Sequence, residues 1–184
     1  NNTILSETAV AGGSNVHWRN NLMLGENAMP AIFSVNTFTS YTSSDYNGFR
    51  PNADAEYSFE WTSPPQGVAA DFLGPRHTPG LETRRFATLE EYAAATGQDA
   101  HSVLVDYDVF VNVPQLDARD ASSAQRLYRA EDFDFRVRPG SAAVDRGLPM
   151  PNVTDGHTGA APDLGALELG SPLPHYGPRE QSAP

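Results

Sequence analysis

The first run with side chains suited to chemistry is His17-Trp18-Arg19. Strand alternation puts His17 and Arg19 on one face and Trp18 on the other. On a groove, Arg19 could pair bidentately with a uronate carboxylate, His17 could move the sugar C5 proton, and Trp18 could stack on a sugar ring. The same pattern also describes a half-exposed strand with Trp18 in the core. Asp45, Tyr46 and Arg50 make a second set. Abstracting a proton beside a carboxylate needs a cation to neutralise that group and a base to take the proton. Arg50, with Tyr46 or a histidine, fits both roles. The structural alternative is a turn built by Asp45 and Asn47, with Tyr46 packed. His17, Arg19, Tyr46 and Arg50 are therefore the candidate catalytic residues, and Trp18, Trp61 and Arg76 the candidate substrate contacts.

Other constellations carry less. Glu56 with Glu60, or Asp106 with Asp108, would suit glycoside hydrolysis, which needs two carboxyls flanking a sugar. With 23 acidic residues, chance pairs are expected. Asp155-Gly156-His157-Thr158-Gly159 and Asp163 could hold Ca²⁺ through oxygens, but Asp-Gly is first a turn signal. The expectation is no cofactor, with Ca²⁺ the alternative. Asp145 and Asp163 are expected to accept backbone amides. His77, His101, His157 and His175 lack zinc spacing. Nucleophile-elbow, phosphate-loop and dinucleotide motifs are absent from the sequence.

The 184 residues fit one domain with a sizeable core. Fifteen Gly and 15 Pro suit short strands and irregular loops better than a helical bundle. A net charge of −11 disfavours nucleic acid and anionic membrane surfaces as partners. An acidic sugar would need a local cluster of arginines. Zero cysteines exclude disulfides and thiolate chemistry. No apolar run reaches 18 residues. The opening Asn1-Asn2-Thr3 carries no signal peptide and reads as a processed chain or a fragment.

Asn1-Asn2-Thr3-Ile4-Leu5 is echoed by Asn20-Asn21-Leu22-Met23-Leu24, and more loosely by Ser44-Asp45-Tyr46-Asn47-Gly48-Phe49. Such spacing suggests stacked coils, with Asn in a hydrogen-bonded ladder and at left-handed corners. Residues 1–50 read as regular coils, and 51–85 as a loop excursion with one hairpin or irregular loop. Residues 86–179 read as a capping helix and closing coils, and 180–184 as a tail. Thr88-Leu89-Glu90-Glu91 is a capping box and Gly97 the helix stop. A helical turn is expected near Ser122 to Tyr128. Strands are expected at 102–105, 109–111, 133–137, 142–144 and 164–167.

The series Phe86, Thr88-Leu89-Glu90-Glu91-Tyr92, Thr96-Gly97, His101-Ser102-Val103, Asp106, Phe110-Val111, then Pro139-Gly140-Ser141-Ala142-Ala143-Val144-Asp145-Arg146-Gly147, resembles secreted right-handed parallel β-helix proteins of the pectate-lyase-like superfamily. The resemblance implies an all-β fold: the C-terminal coils of a β-helix, with an inserted loop region and one short α-helix. It further implies a secreted, periplasmic or cell-surface protein acting on polysaccharide as part of a lyase or glycoside hydrolase. The rival expectation is a non-catalytic module that binds glycan, or a partner chain through its open N-terminal coil.

Overall fold

Short strands separated by Asn, Gly and Pro corners stack side by side, and every parallel pair joins a strand to the third one further along the chain. The computed structural model describes residues 1–5, 9–13, 15–26, 31–37, 42–68, 80–115 and 120–173. One parallel sheet runs β1 (Thr3–Leu5), β4 (Leu22–Leu24), β7 (Gly48–Arg50) and β10 (Val103–Leu104). A second holds β2 (Ala9–Gly12), β5 (Phe33–Asn36) and β8 (Phe59–Ser63) in parallel, closed by antiparallel β9 (Glu82–Phe86). A third pairs β3 (His17–Arg19) with β6 (Ser43–Asp45) in parallel. The antiparallel ribbon of β11 (Phe110–Asn112) and β12 (Asp134–Val137) stands apart. The architecture is all-β with two short helices.

The echo between residues 1–5 and 20–24 is a strand register: Thr3, Ile4 and Leu5 lie opposite Leu22, Met23 and Leu24. The asparagines form the expected ladder. Asn2 Nδ2 donates to Asn21 Oδ1 at 2.9 Å, and Asn21 Nδ2 to Asn47 Oδ1 at 2.9 Å. Asn47 Nδ2 then donates to Asp99 Oδ1 at 3.0 Å, so a carboxylate ends the row. Each amide has both a donor and an acceptor to offer its neighbours, which is why Asn suits the interior of such a row. The corners before β4 and β7 turn at Asn20 (φ 57°) and Tyr46 (φ 56°), both left-handed.

All three residues of β4 are buried. Met23 joins Phe33, Phe49, Phe59, Trp61 and Tyr92 in one core, while Leu22 and Leu24 pack with Val109, Phe110, Ala143 and Leu164 in another. Alternation sends successive side chains to opposite faces, so this sheet is covered on both. Each fully buried Leu or Phe contributes roughly 1.5–3 kcal/mol. The tail covers the second face by close approach. A Cβ at Gly165 would lie 2.7 Å from Leu22 Cδ1, and its φ of +96° also selects glycine.

Helix α1 (Leu89–Thr96) carries the full capping box from Thr88 and Glu91 and stops at left-handed Gly97. Its buried Tyr92 stacks on Phe59 at 5.1 Å. The expected turn near Ser122 is the four-residue α2 (Ala121–Ala124), capped by Asp120.

The expected hairpin of the 51–85 segment is the antiparallel pair β8–β9, and Phe59–Ser63 is also in register with β5. Two expectations need correction. Residues 142–144 and 164–167 are turns and bends rather than strands. The Val144 amide turns back to the Ser141 carbonyl, Leu164 donates to the Ala143 carbonyl, Gly165 to the Asn20 carbonyl and Ala166 to Thr3 Oγ1. Side-chain carboxylates take amides of the flanking residues. Asp163 accepts from the amides of Asp145 and Leu169, and Asp145 from those of Ala160 and Ala161. A backbone satisfied this way has no need of a ladder.

Candidate functional site

The third sheet assembles ionisable side chains from segments far apart in sequence. In the β3–β6 register, His17 lies opposite Ser43 and Arg19 opposite Asp45. Parallel neighbours stand about 4.8 Å apart, and residues of equal parity share a face. Trp18 points the other way and packs edge-on against Phe33 in the core, ring centres 5.4 Å apart. On the outward face, Ser43 Oγ meets His17 Nδ1 at 2.8 Å and accepts from Arg19 Nη2 at 2.8 Å. Arg19 Nη1 donates to the carbonyls of Trp18 and Ser43 at 2.8 and 3.1 Å. The guanidinium is thereby held flat along its own sheet.

Asp45 continues the column upward to a residue 56 positions later. Its Oδ1 accepts the backbone amides of Tyr46 (2.9 Å) and His101 (2.8 Å), and its Oδ2 accepts from His101 Nδ1 at 2.8 Å. The proton therefore sits on Nδ1, which leaves Nε2 unprotonated in the neutral ring and without a hydrogen bond among the described residues. The side chain of His101 is 61% exposed. The Tyr46 ring stacks on the imidazole at 4.7 Å, with planes 12° apart. Burial pushes the Asp45 carboxyl up, but His101's side chain and amide, the Tyr46 amide and the His101 charge outweigh it and hold the carboxyl below its ordinary value. Asp45 is the acceptor that fixes both the tautomer and the plane of His101.

Of the four candidate catalytic residues, His17, Arg19 and Tyr46 share this column. Arg50 does not. It ends β7 on the first sheet, where Nε pairs with Asp106 at 2.6 Å, an Nη donates to the Gly25 carbonyl, and Cζ lies 5.4 Å above the Tyr107 ring. Tyr107 in turn donates to Glu26. Burial, then the Glu26 hydrogen bond and charge, push the Tyr107 hydroxyl far above its ordinary value.

The expected sugar contacts fare differently. Trp61 is only 6% exposed, lying beside Tyr92, so its face is closed to a sugar ring. Trp18 likewise faces the core. Arg76 lies outside the described residues, as do His77 and His175. The carboxylate pairs are engaged elsewhere: Glu60 with Ser34 and Arg85, and Asp106 with Arg50. In the Asp155–Asp163 segment, Asp155 accepts the Asn152 amide, both Asp163 oxygens accept amides, and His157 Nδ1 donates to the Thr154 carbonyl. Among the described residues no group of three or more His, Cys, Asp or Glu side chains could hold a metal ion. Two cavities of about 200 and 190 Å³ share Ala166, Leu167 and Glu168 and do not include the column.

Ser43 and His101 are the site residues that sequence reasoning missed. Ser43 was within reach, because it lies as far from His17 as Asn47 does from Asn21, 26 residues in each case. No protein-family model matches this chain, and no match was found among curated proteins or solved structures.

Proposed function

We propose that this chain is a secreted carbohydrate-active protein built on the closing coils of a right-handed parallel β-helix, and that the β3–β6 face acts as a polysaccharide lyase. The observation that carries the reading is the imidazole of His101, oriented by Asp45, with Nε2 free on the face that bears Arg19. In β-elimination on a uronate, His101 Nε2 takes the C5 proton while Arg19 offsets the charge that develops on the carboxylate. The electron pair of the C5–H bond forms the C4–C5 double bond. The O4 leaving group departs with a proton from Tyr46 or from water. Asp45 stabilises the imidazolium that results. Lyase chemistry is favoured over hydrolysis because one member of each candidate carboxylate pair is held by an arginine, Asp106 by Arg50 and Glu60 by Arg85.

A second reading, a non-catalytic glycan-binding or assembly module, is favoured by the way Arg19 spends its donors on Ser43 and Trp18. One assay separates the two. Purified protein is incubated with uronate polysaccharides, and the ultraviolet absorbance of the unsaturated product is followed. The lyase reading expects product from the wild type and a loss of about 10²-fold or more in His101→Gln. Binding without product would establish the module instead, and full activity in His101→Gln would refute the role of the base.

A further inference from the structure

We infer that Asp99 is a positioning residue: as the acceptor end of the Asn2–Asn21–Asn47 ladder, it fixes the 98–102 turn on β6 and so places His101 over Asp45. The proposal rests on reading His101 as the base.

The argument starts from the ladder. Arg19 and Asp45 each stand two residues before a ladder asparagine, Asn21 and Asn47, so the rungs of the buried row set the rungs of the surface column. His101 has no such strand beneath it. It stands on a turn tied down by other means: its own amide and ring reach Asp45, while Asp99 and its neighbours fasten the turn to β6 and Asn47. The Asp99 amide donates to the Ser44 carbonyl at 2.7 Å, and Gln98 Oε1 accepts the Ser44 amide at 2.8 Å. Asp99 Oδ1 accepts from Asn47 Nδ2 at 3.0 Å and from Ser102 Oγ at 2.6 Å. Ser102 Oγ accepts the Asn47 amide at 2.8 Å, and the Ser102 amide returns to the Asp99 carbonyl. His101 is thus held between Asp99 and Ser102, both fastened to Asn47.

Asp99 is 1% exposed. Its Oδ2 and the hydroxyl of Tyr92, which faces it, are both buried without a well-formed hydrogen bond. Burial drives the Asp99 carboxyl above its ordinary range against the pull of Ser102, Asn47 and Ser44, and the Asp45 charge adds to the rise. One oxygen therefore serves the turn, and the other gains nothing from being a carboxylate. Asparagine at 99 keeps the Oδ1 acceptor and sets an N–H opposite the Tyr92 hydroxyl, whereas alanine removes both.

Nuclear magnetic resonance of the hydrogen-bonded His101 Nδ1–H reads the position of the ring directly and needs no substrate. The signal is expected to persist in Asp99→Asn and to disappear in Asp99→Ala, with the His17 ring signals unmoved. In turnover assays on uronate polysaccharide, Asp99→Ala is expected to lower kcat about tenfold or more with KM nearly unchanged, and Asp99→Asn to restore it. Ser102→Ala, which removes the hydroxyl's two ties and keeps the buried carboxyl, decides the matter if Asp99→Ala does not fold; a weakened His101 signal is expected there. A folded Asp99→Ala or Ser102→Ala protein with an unchanged His101 signal overturns the proposal. A wild type that turns over no polysaccharide overturns the lyase reading alone, because the resonance experiment still reports on Asp99.

Discussion

Replacing Asn47 by alanine should cost far more than the same change at Asn2, although both residues belong to one ladder. Asn47 is fully buried. Its Oδ1 accepts both the amide and the Nδ2 of Asn21, at 3.0 and 2.9 Å, and its Nδ2 serves Ser44, Asp99 and the Trp18 carbonyl. Alanine at 47 leaves two donors of Asn21 facing an apolar methyl. At roughly 1–3 kcal/mol for each orphaned buried group, the loss is about 2–6 kcal/mol. That is a large part of the 5–15 kcal/mol typical of a domain. Asn2 is exposed and gives one hydrogen bond, so Asn2→Ala should cost about 0.5–1.5 kcal/mol. Urea denaturation followed by tryptophan fluorescence measures both midpoints, with m checked for constancy. If the two variants fall within about 1 kcal/mol of each other, the ladder is ornament rather than support, and the unsatisfied-donor reasoning behind it fails.

Thr88→Ala removes the cap of α1 and should cost about 1 kcal/mol, seen as a lower midpoint in the same titration. Asp45 is held below its ordinary value, so it stabilises the fold above the unfolded carboxyl pKa near 3.9 and loses that contribution as pH falls through its folded value. The stability gap between wild type and Asp45→Asn should therefore be widest above about pH 4 and close in stronger acid; a gap that widens on acidification contradicts the assignment. Trp61→Ala should cost about 3–5 kcal/mol as a core cavity, while glycan affinity measured by calorimetry on the folded fraction stays unchanged. Gly165→Ala should destabilise through both its left-handed backbone and its contact with Leu22. A thermal midpoint equal to wild type would refute that contact.

What the sequence made legible was whatever repeats locally. Asn1-Asn2 and Asn20-Asn21 announced their register because the polar pair and the apolar run recur together, and Thr88 with Glu91 announced a helix because a capping box lies within four residues. His17 and Arg19 shared a face on alternation alone. The partner of Asp45 was hidden, since His101 comes 56 residues later and its approach depends on how much chain the hairpin and α1 consume. Trp18 and Trp61 looked like platforms because an aromatic side chain reads alike in a core and on a groove. The tail misled for a different reason. Ala142-Ala143-Val144 has the composition of a strand, but Val144 turns back to the Ser141 carbonyl, and the carboxylates of Asp145 and Asp163 take the amides of residues just beyond it.

The tail's grip on the first sheet also orders events in time. The ladder partners are 19 and 26 residues apart, then 52 from Asn47 to Asp99, and each doubling of the closing loop adds about 0.6 kcal/mol of entropy. The Ala166 amide reaches back 163 residues to Thr3 Oγ1, and the Asn20 side chain 128 residues to Leu148. During synthesis, the Leu22 and Leu24 side chains therefore stay partly uncovered until the segment around Leu164 has emerged. Contacts this remote make for slow folding, and the partly built sheet is where aggregation would begin. Once closed, the same contacts are the last to have formed, so they act mainly on the rate of unfolding. The final segment is the latch of the molecule: late to engage, and the part that sets how long the folded state lasts.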